Sequence, residues 1–321
     1  MTPARAPQAP VGAAGPAAVR WPVWLIVALA WAVLFAPQIF GQRVFTGGDA
    51  RAFRPFSEYS RERWLSAHER VHWNPFVYAG IPSDASLADS RPQYLPDLAL
   101  DLFERVRPSN AVPLAGPLLA YLAGMLAMAA LARALWGCGV GGMVFAGLAW
   151  GLLPEMISPL VNGHDAQTVS CSLIPPILLA VHRVFETRER MAGVLLGLSL
   201  LLGVFVLTGH PQVVVYGAML AAAFAIERAC HFRRPARLTG VAGAAGLAVL
   251  LSAAVWLPAF DYSAMSFRGG GAPSLSESEL LRFSFAWRDL LTLIWPGRWA
   301  TGSPRTGAGS RAPIIRASSA A

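Results

Sequence analysis

One uncharged stretch constrains the fold more than any other feature of the chain. Residues Met191 to Ile226 contain no Asp, Glu, Lys or Arg over 36 positions. A single α-helix of that length would be about 54 Å long, whereas the hydrocarbon core of a bilayer is about 30 Å thick. The sequence Gly209-His210-Pro211 interrupts the stretch with helix-breaking residues. The stretch therefore predicts two short membrane spans that meet at a tight turn, with a re-entrant loop as the alternative.

The composition of the whole chain agrees with membrane burial. Hydrophobic residues make up 55% of the sequence and charged residues 14%, and the mean hydropathy is +0.47. A soluble domain carries about 25% charged residues, so most of this chain does not face water. The composition excludes a cytosolic enzyme, a secreted disulfide scaffold and a disordered protein. No nucleic-acid-binding motif accompanies the net charge of +8, and we expect no nucleic-acid partner.

The uncharged segments predict an all-α polytopic membrane protein with about seven transmembrane helices and a large first extracytoplasmic loop. The predicted spans are Pro22–Phe40, Val112–Ala132, Cys138–Leu153, Ala166–His182, Met191–Thr208, Pro211–Ile226 and Leu238–Phe260. Residues 1–20 form a predicted disordered N-terminus, residues 21–297 the transmembrane domain with its outer loop at 41–111, and residues 298–321 a disordered or aberrant tail. The Ser/Arg/Gly composition of that tail is typical of a truncated or frame-shifted end.

Arginine distribution predicts the orientation of the spans. With the N-terminus in the cytoplasm, ten arginines fall in cytoplasmic segments: Arg5, Arg20, Arg133, Arg183, Arg188, Arg190, Arg228, Arg233, Arg234 and Arg237. The short outer segments, Pro154–Asp165 and the turn at Gly209-His210, carry none. Because basic residues concentrate in the short cytoplasmic loops of membrane proteins, the pattern predicts a multi-pass protein with a cytoplasmic N-terminus.

Residues that a membrane protein does not need for packing collect in the predicted outer loops. These residues are Asp49, Asn74, Gln93, His164, Asp165, His210 and Gln212. An amphipathic helix over Phe56–Arg70 is predicted to lie along the membrane surface between the first two of them. Each residue also has a structural interpretation, as a helix cap, a dipole partner or a turn former. Polar residues at membrane depth are usually functional, which makes His210 the hardest to explain by structure alone.

Together these side chains have the chemistry for group transfer from a lipid-linked substrate. A carboxylate such as Asp49 can accept the proton of an incoming hydroxyl, and imidazole or arginine donors can stabilise a leaving phosphate. His164, Asp165, His210 and Gln212 are the predicted substrate- or phosphate-binding residues, with Asn74 and Gln93 as additional ones. A divalent metal is compatible with these groups, and the sequence does not decide whether one is needed. The same residues would also suit a transported substrate.

The ordered series of motifs resembles the YfhO family of bacterial polytopic membrane proteins, which are related to the GT-C superfamily of membrane glycosyltransferases. The matching elements are Gly48-Asp49, Trp73-Asn74-Pro75, Gly80-Ile81-Pro82, Gly163-His164, Gly209-His210-Pro211-Gln212 and Trp295-Pro296-Gly297. The resemblance implies a GT-C-like fold in the bacterial inner membrane, with the active face outside the cytoplasm. It also implies a polyprenyl-phosphate-linked sugar donor, a cell-envelope acceptor and Asp49 as the catalytic carboxylate.

The sequence departs from that pattern in two ways. Family members are longer, with further spans after the region where this chain becomes rich in Ser, Arg and Gly, and Asp49 has no acidic neighbour before Glu58. An active glycosyltransferase and a truncated fragment of one are both consistent with the motifs. A transporter or flippase is the main alternative; it predicts ionisable residues inside the spans. The interiors of the predicted spans contain none, since His182 lies at a cytoplasmic end and His210 at an outer turn. A non-catalytic membrane scaffold is the third interpretation.

Overall fold

The computed structural model describes residues 21–41, 43–45, 47–67, 69, 71–76, 79–83, 112–187 and 190–265. The chain divides into two compact units, Met1–Ala264 and Met265–Ala321. The helices of the described part are α1 (Trp21–Leu34), α2 (Ala36–Ile39), α3 (Gly48–Ala67), α4 (Val112–Trp136), α5 (Val140–Gly151), α6 (Pro154–Asn162), α7 (Asp165–Glu186), α8 (Met191–Leu207), α9 (Pro211–His231), α10 (Arg237–Leu251) and α11 (Ala253–Met265). The strands β1 (Trp73–Asn74) and β2 (Ile81–Pro82) form one antiparallel pair.

Four of the described helical segments are long and apolar enough to cross a membrane: Leu114–Trp136, Val140–Asn162, Asp165–Glu186 and Pro211–His231. A fifth crossing is present if α10 and α11, which meet at an angle of 73°, count as one broken span. The prediction of a helical membrane protein is confirmed in this form. Helices α1 and α8 are apolar but shorter, so the number of seven spans stays a prediction.

The second predicted outer loop was wrong in its boundaries. Residues Pro154–Asp165 were predicted to lie outside the membrane, but most of them form α6, which continues α5 into the candidate span Val140–Asn162. The predicted span ended at Leu153, because Pro154 and the charged Glu155 follow the apolar run. At the first turn of a helix, however, proline has the φ that the helix needs and lacks only an N–H that would have no partner within the helix. The Glu155 carboxylate also interacts favourably with the positive end of the helix dipole. The break therefore lies inside the span instead of at its end.

Two hydrophobic clusters hold the helices together. The first joins α1, α4, α5 and α6 through residues such as Val27, Tyr121, Met125 and Leu160, and the second joins α7, α8, α9 and α10. Helices α4 and α7 pack closely where a Cβ on Gly124 would lie 2.8 Å from the Ser172 carbonyl oxygen. Small residues at such a crossing let two apolar helices approach closely. This contact connects the two clusters.

The first outer loop contains more helix than the sequence suggests. The helix predicted over Phe56–Arg70 is present, but α3 begins eight residues earlier, at Gly48. The ring of Tyr59 on α3 meets the ring of Phe76 edge to face at 5.8 Å, which fixes the β1–β2 hairpin against the helix. Asp49 therefore belongs to the first turn of a helix and not to an open loop.

Two arginines cap the C-terminus of α7, at the end of that helix opposite to its start at Asp165. The guanidinium of Arg234 donates to the Phe185 carbonyl oxygen at 2.9 Å, and that of Arg237 donates to the Val184 carbonyl oxygen at 2.5 Å. The last carbonyls of a helix have no partner within the helix, and a cation there also complements the helix dipole. Part of the arginine pattern used to predict orientation thus has a structural role.

Candidate functional site

Three helix N-termini meet at one end of the described bundle. They are the starts of α3 at Gly48, of α7 at Asp165 and of α9 at Pro211. The α3 start is fixed to the end of α6 by a hydrogen bond from Gly47 N–H to the Val161 carbonyl oxygen at 3.2 Å. The α7 start is joined to the turn before α9 by the hydrogen bond between the Ser170 and Thr208 hydroxyls at 2.5 Å. The sequence prediction that these loops converge is thereby supported for three of them.

The contact at Gly47 depends on the absence of a side chain. A Cβ at this position would lie 2.4 Å from the Val161 carbonyl oxygen and 2.6 Å from the Asn162 Cα. Both distances are far below van der Waals contact, and both neighbours are backbone atoms that cannot swing away. Glycine therefore allows the backbone before Asp49 to rest directly on the turn that leads to His164.

The turn between α6 and α7 carries two of the predicted residues. Gly163 ends α6 in the left-handed region with φ of 89°, and the next residue, His164, is the N-cap of α7. The His164 backbone N–H donates to the Pro159 carbonyl oxygen at 2.8 Å, while its side chain is exposed. Asp165 is half-buried in the first turn of α7, where a carboxylate stabilises the helix.

The turn between α8 and α9 is held from inside the bundle. The hydroxyls of Thr208 and Ser170 are hydrogen-bonded at 2.5 Å, and both residues are buried. Gly209 follows with φ of 74°, and His210 is the N-cap of α9. The turn is thus attached to α7 about one and a half helical turns below Asp165, which sets the position of His210 relative to His164.

The hydrogen bonding of His210 fixes its tautomer. The Nδ1 atom accepts the Val213 backbone N–H at 3.3 Å, so the ring proton of the neutral imidazole is on Nε2. The pKa of His210 is lowered from its ordinary value, mainly by burial and further by the charge of His164. The side chain is therefore a neutral hydrogen-bond donor through Nε2–H rather than the cation that the sequence suggested it could supply.

We expect acidification to loosen the start of α9 through His210. The pKa of His210 is lower in the folded protein than its unfolded value of about 6.5. The contribution of His210 to stability is therefore complete above about pH 6.5 and is lost as the pH falls from there through the folded pKa. After correction for the intrinsic effect of pH on exchange, a peptide containing Val213 should exchange its amide hydrogens faster at pH 5.5 than at pH 7.5. His210→Asn keeps a side-chain acceptor for this N–H and should remove the pH dependence.

His210→Ala should show fast exchange at both pH values, since the cap is lost in either protonation state. If the wild-type exchange, corrected for intrinsic chemistry, were the same at both pH values, the Nδ1 cap would not control the helix start.

The remaining predicted residues differ in how far the structure places them. Gln212 is exposed in the first turn of α9, and Asn74 is buried in β1 with its Oδ1 accepting the Phe76 N–H at 2.9 Å. The Asn74 Nδ2 is buried and has no partner within the described part of the chain. The backbone of Asp49 is in the first turn of α3. Gln93 lies outside the described residues.

Metal binding stays a prediction. In the described ranges, no group of three or more His, Cys, Asp and Glu side chains is arranged to hold a metal ion. The arrangement instead supplies backbone N–H groups and neutral donors, which suit an anion.

Sequence reasoning missed three features of this end of the bundle. The first is the contact of Gly47 with α6 and the second is the Ser170–Thr208 hydrogen bond, which both join distant parts of the chain. The third is Glu155, an exposed carboxylate inside the candidate span Val140–Asn162. The signal for Glu155 was present, because a Pro-Glu pair after an apolar run is also a helix start.

Fold and site together define a mainly helical membrane protein with a polar end built from helix N-termini. No family model, curated protein or solved structure matches the chain. The resemblance to the YfhO family therefore rests on the motifs alone.

Proposed function

We propose that this chain is a membrane glycosyltransferase, or a fragment of one, that moves a sugar from a polyprenyl-phosphate-linked donor to a cell-envelope acceptor. The observation that carries the proposal is the meeting of three helix N-termini beside His164 and His210. Each N-terminus carries roughly half a positive charge, which favours a phosphate. A phosphate that stays bound while its charge increases is the leaving group of this reaction.

The residues divide the chemistry among them. Asp49 accepts the proton of the attacking hydroxyl, while the His210 Nε2–H and the exposed His164 stabilise the departing phosphate. Asp165 and Gln212, in the first turns of α7 and α9, are placed to bind sugar hydroxyls or the phosphate. Asn74 and Gln93 are the corresponding candidates in the long outer loop. A divalent metal, if the enzyme uses one, would add to the stabilisation of the phosphate.

The proposed setting is the bacterial inner membrane, with about seven spans in a GT-C-like arrangement and the N-terminus in the cytoplasm. The polar end then faces the outer side, where a lipid-linked donor presents its sugar. The arginines at the opposite end support this orientation, because Arg234 and Arg237 lie with the C-terminus of α7 and basic residues favour the cytoplasmic side.

Transfer of a labelled sugar in proteoliposomes tests the proposal. Protein reconstituted with undecaprenyl-phosphate-linked sugar and a cell-envelope acceptor should transfer the sugar to the acceptor hydroxyl and release free undecaprenyl phosphate. His164→Ala should reduce that release roughly 10- to 1,000-fold, as expected for loss of one donor to a developing charge. His231→Ala, an exposed histidine at the other end of α9, is the matched control and should leave the rate unchanged. Release that is equally fast in His164→Ala would count against the site.

A transporter or flippase for lipid-linked substrates remains a second candidate because of Glu155. The interiors of the predicted spans contained no ionisable residue, but Glu155 lies on α6 within the candidate span Val140–Asn162, and acidic residues inside spans are typical of transporters. Movement of the intact lipid-linked sugar across the vesicle membrane, without release of undecaprenyl phosphate, would favour this function. A scaffold would show neither activity.

A further inference from the structure

The exposed side of α6 carries three polar residues, beside Pro154 and Val161, at a depth where a membrane helix normally meets lipid. Glu155, Ser158 and Asn162 are all exposed, and their spacing puts them on one side of the helix. The opposite side carries the buried Met156 and Leu160. The Asn162 side chain bonds back to the Ser158 carbonyl oxygen at 2.9 Å, which leaves Glu155 as the charged end of this polar face.

The position of Glu155 along α6 puts it inside the candidate span Val140–Asn162. It lies seven residues before Asn162, about 10 Å along the helix axis from the polar end at the rise of an α-helix. The span Val140–Asn162 is about 34 Å long at that rise, slightly more than the hydrocarbon thickness. A carboxylate at the level of Glu155 is therefore below the membrane surface.

An ionisable residue at this depth is costly against lipid and almost always faces water or a polar partner. Irregular backbone is subject to the same limit, and α5 and α6 are separated by the extended residue Leu153. Glu155 is the second residue after Leu153. Charge, polar face and broken backbone thus occur together on one side of α6.

We propose that the polar face of α6 lines a hydrated cleft that enters the membrane from the end holding His164, and that Glu155 at its floor binds a hydroxyl-bearing lipid headgroup. The inference of a cleft rests on the depth of Glu155 in the candidate span and on the exposure of Glu155, Ser158 and Asn162. The choice of ligand rests on the proposed function, since a carboxylate accepts hydrogen bonds from sugar hydroxyls. Glu155 would then hold the sugar of the donor, and its phosphate would lie higher, at the helix N-termini.

Thiol labelling tests the cleft without requiring any activity. In full-length protein with Cys138, Cys171 and Cys230 replaced by alanine, Glu155→Cys and Ser158→Cys are exposed in proteoliposomes to a charged, membrane-impermeant maleimide. Met219→Cys is the matched control, because Met219 is 65% exposed on α9 at about 12 Å below the start of that helix. Only a thiol in contact with water ionises and reacts.

We expect both α6 positions to react at least about tenfold faster than Met219→Cys, because the thiolate forms in water and not in lipid. Slow labelling of all three positions would place the face of α6 in lipid and overturn the cleft. Fast labelling of all three would place this level of the bundle above the membrane and would overturn it as well.

Protection by the ligand tests the second part. Undecaprenyl-phosphate-linked sugar added to the proteoliposomes should slow labelling of Ser158→Cys several-fold, undecaprenyl phosphate alone should protect less, and Glu155→Gln in the same background should remove most of the protection. Equal labelling with and without the sugar lipid would overturn the assignment of the ligand. Protection without any release of undecaprenyl phosphate would count against the transferase and leave the cleft and its ligand standing.

Discussion

Replacing Asp49 by asparagine is expected to reduce sugar transfer a hundredfold to ten-thousandfold, the range typical of losing a positioned general base. Asparagine has nearly the same shape and is also favoured near a helix N-terminus, so the variant should insert and accumulate as the wild type does. Release of undecaprenyl phosphate in proteoliposomes measures the effect. The apparent KM for the donor should change little, because the lost group acts on the acceptor hydroxyl.

Glu58→Gln provides the control on the same helix. Glu58 is exposed nine residues after Asp49, and its loss removes one negative charge from α3 without touching the first turn. An Asp49→Asn variant that retains the wild-type rate, beside a normal Glu58→Gln variant, would exclude Asp49 as the base.

Substitution of Gly47 by valine is expected to separate α3 from α6 and to inactivate the site with Asp49 still present. The new Cβ would lie 2.4 Å from the Val161 carbonyl oxygen, and relief of such an overlap requires a backbone shift that typically costs about 1–3 kcal/mol. The start of α3 would move away from the turn that carries His164. We expect a lower melting temperature and a transfer rate close to that of Asp49→Asn.

Gly193→Ala tests whether any added side chain has this effect. Gly193 lies in α8 with no atom near the place where a Cβ would be, and alanine favours helix over glycine by up to about 1 kcal/mol. Gly193→Ala should therefore keep both activity and melting temperature. If Gly47→Val behaved in the same way, the contact between Gly47 and Val161 would not hold the site together.

Hydropathy was sufficient to predict the long apolar helices, but not the start of α3 or the presence of α6. The 36-residue uncharged stretch divides at Gly209-His210 into α8 and α9. This break was predicted because a single helix of that length would exceed the thickness of the bilayer core. The ends of the helices were less predictable. Proline and glutamate after Leu153 are compatible both with a loop and with a helix start, and only the burial of Met156 and Leu160 in the first hydrophobic cluster decides between them.

The candidate site could be predicted as a set of residues but not as a geometry. His164, His210 and Asp49 were recognisable because polar residues beside apolar spans need an explanation. Their proximity depends on Gly47 touching Val161 and on Ser170 bonding Thr208 across 38 residues of chain. Such contacts leave no periodic signal in one sequence. The role of His210 as a neutral donor also required its bond to the Val213 N–H.

The arginine cap on α7 has a consequence for the order in which the protein is made. The carbonyl oxygens of Val184 and Phe185 receive their donors from Arg237 and Arg234, which are 53 and 49 positions later in the chain. During synthesis the carbonyl oxygens at the end of α7 therefore lack these donors until α8 and α9 have been made. The docking of α10 on α7 is then a late step of assembly, completed by Arg234 and Arg237.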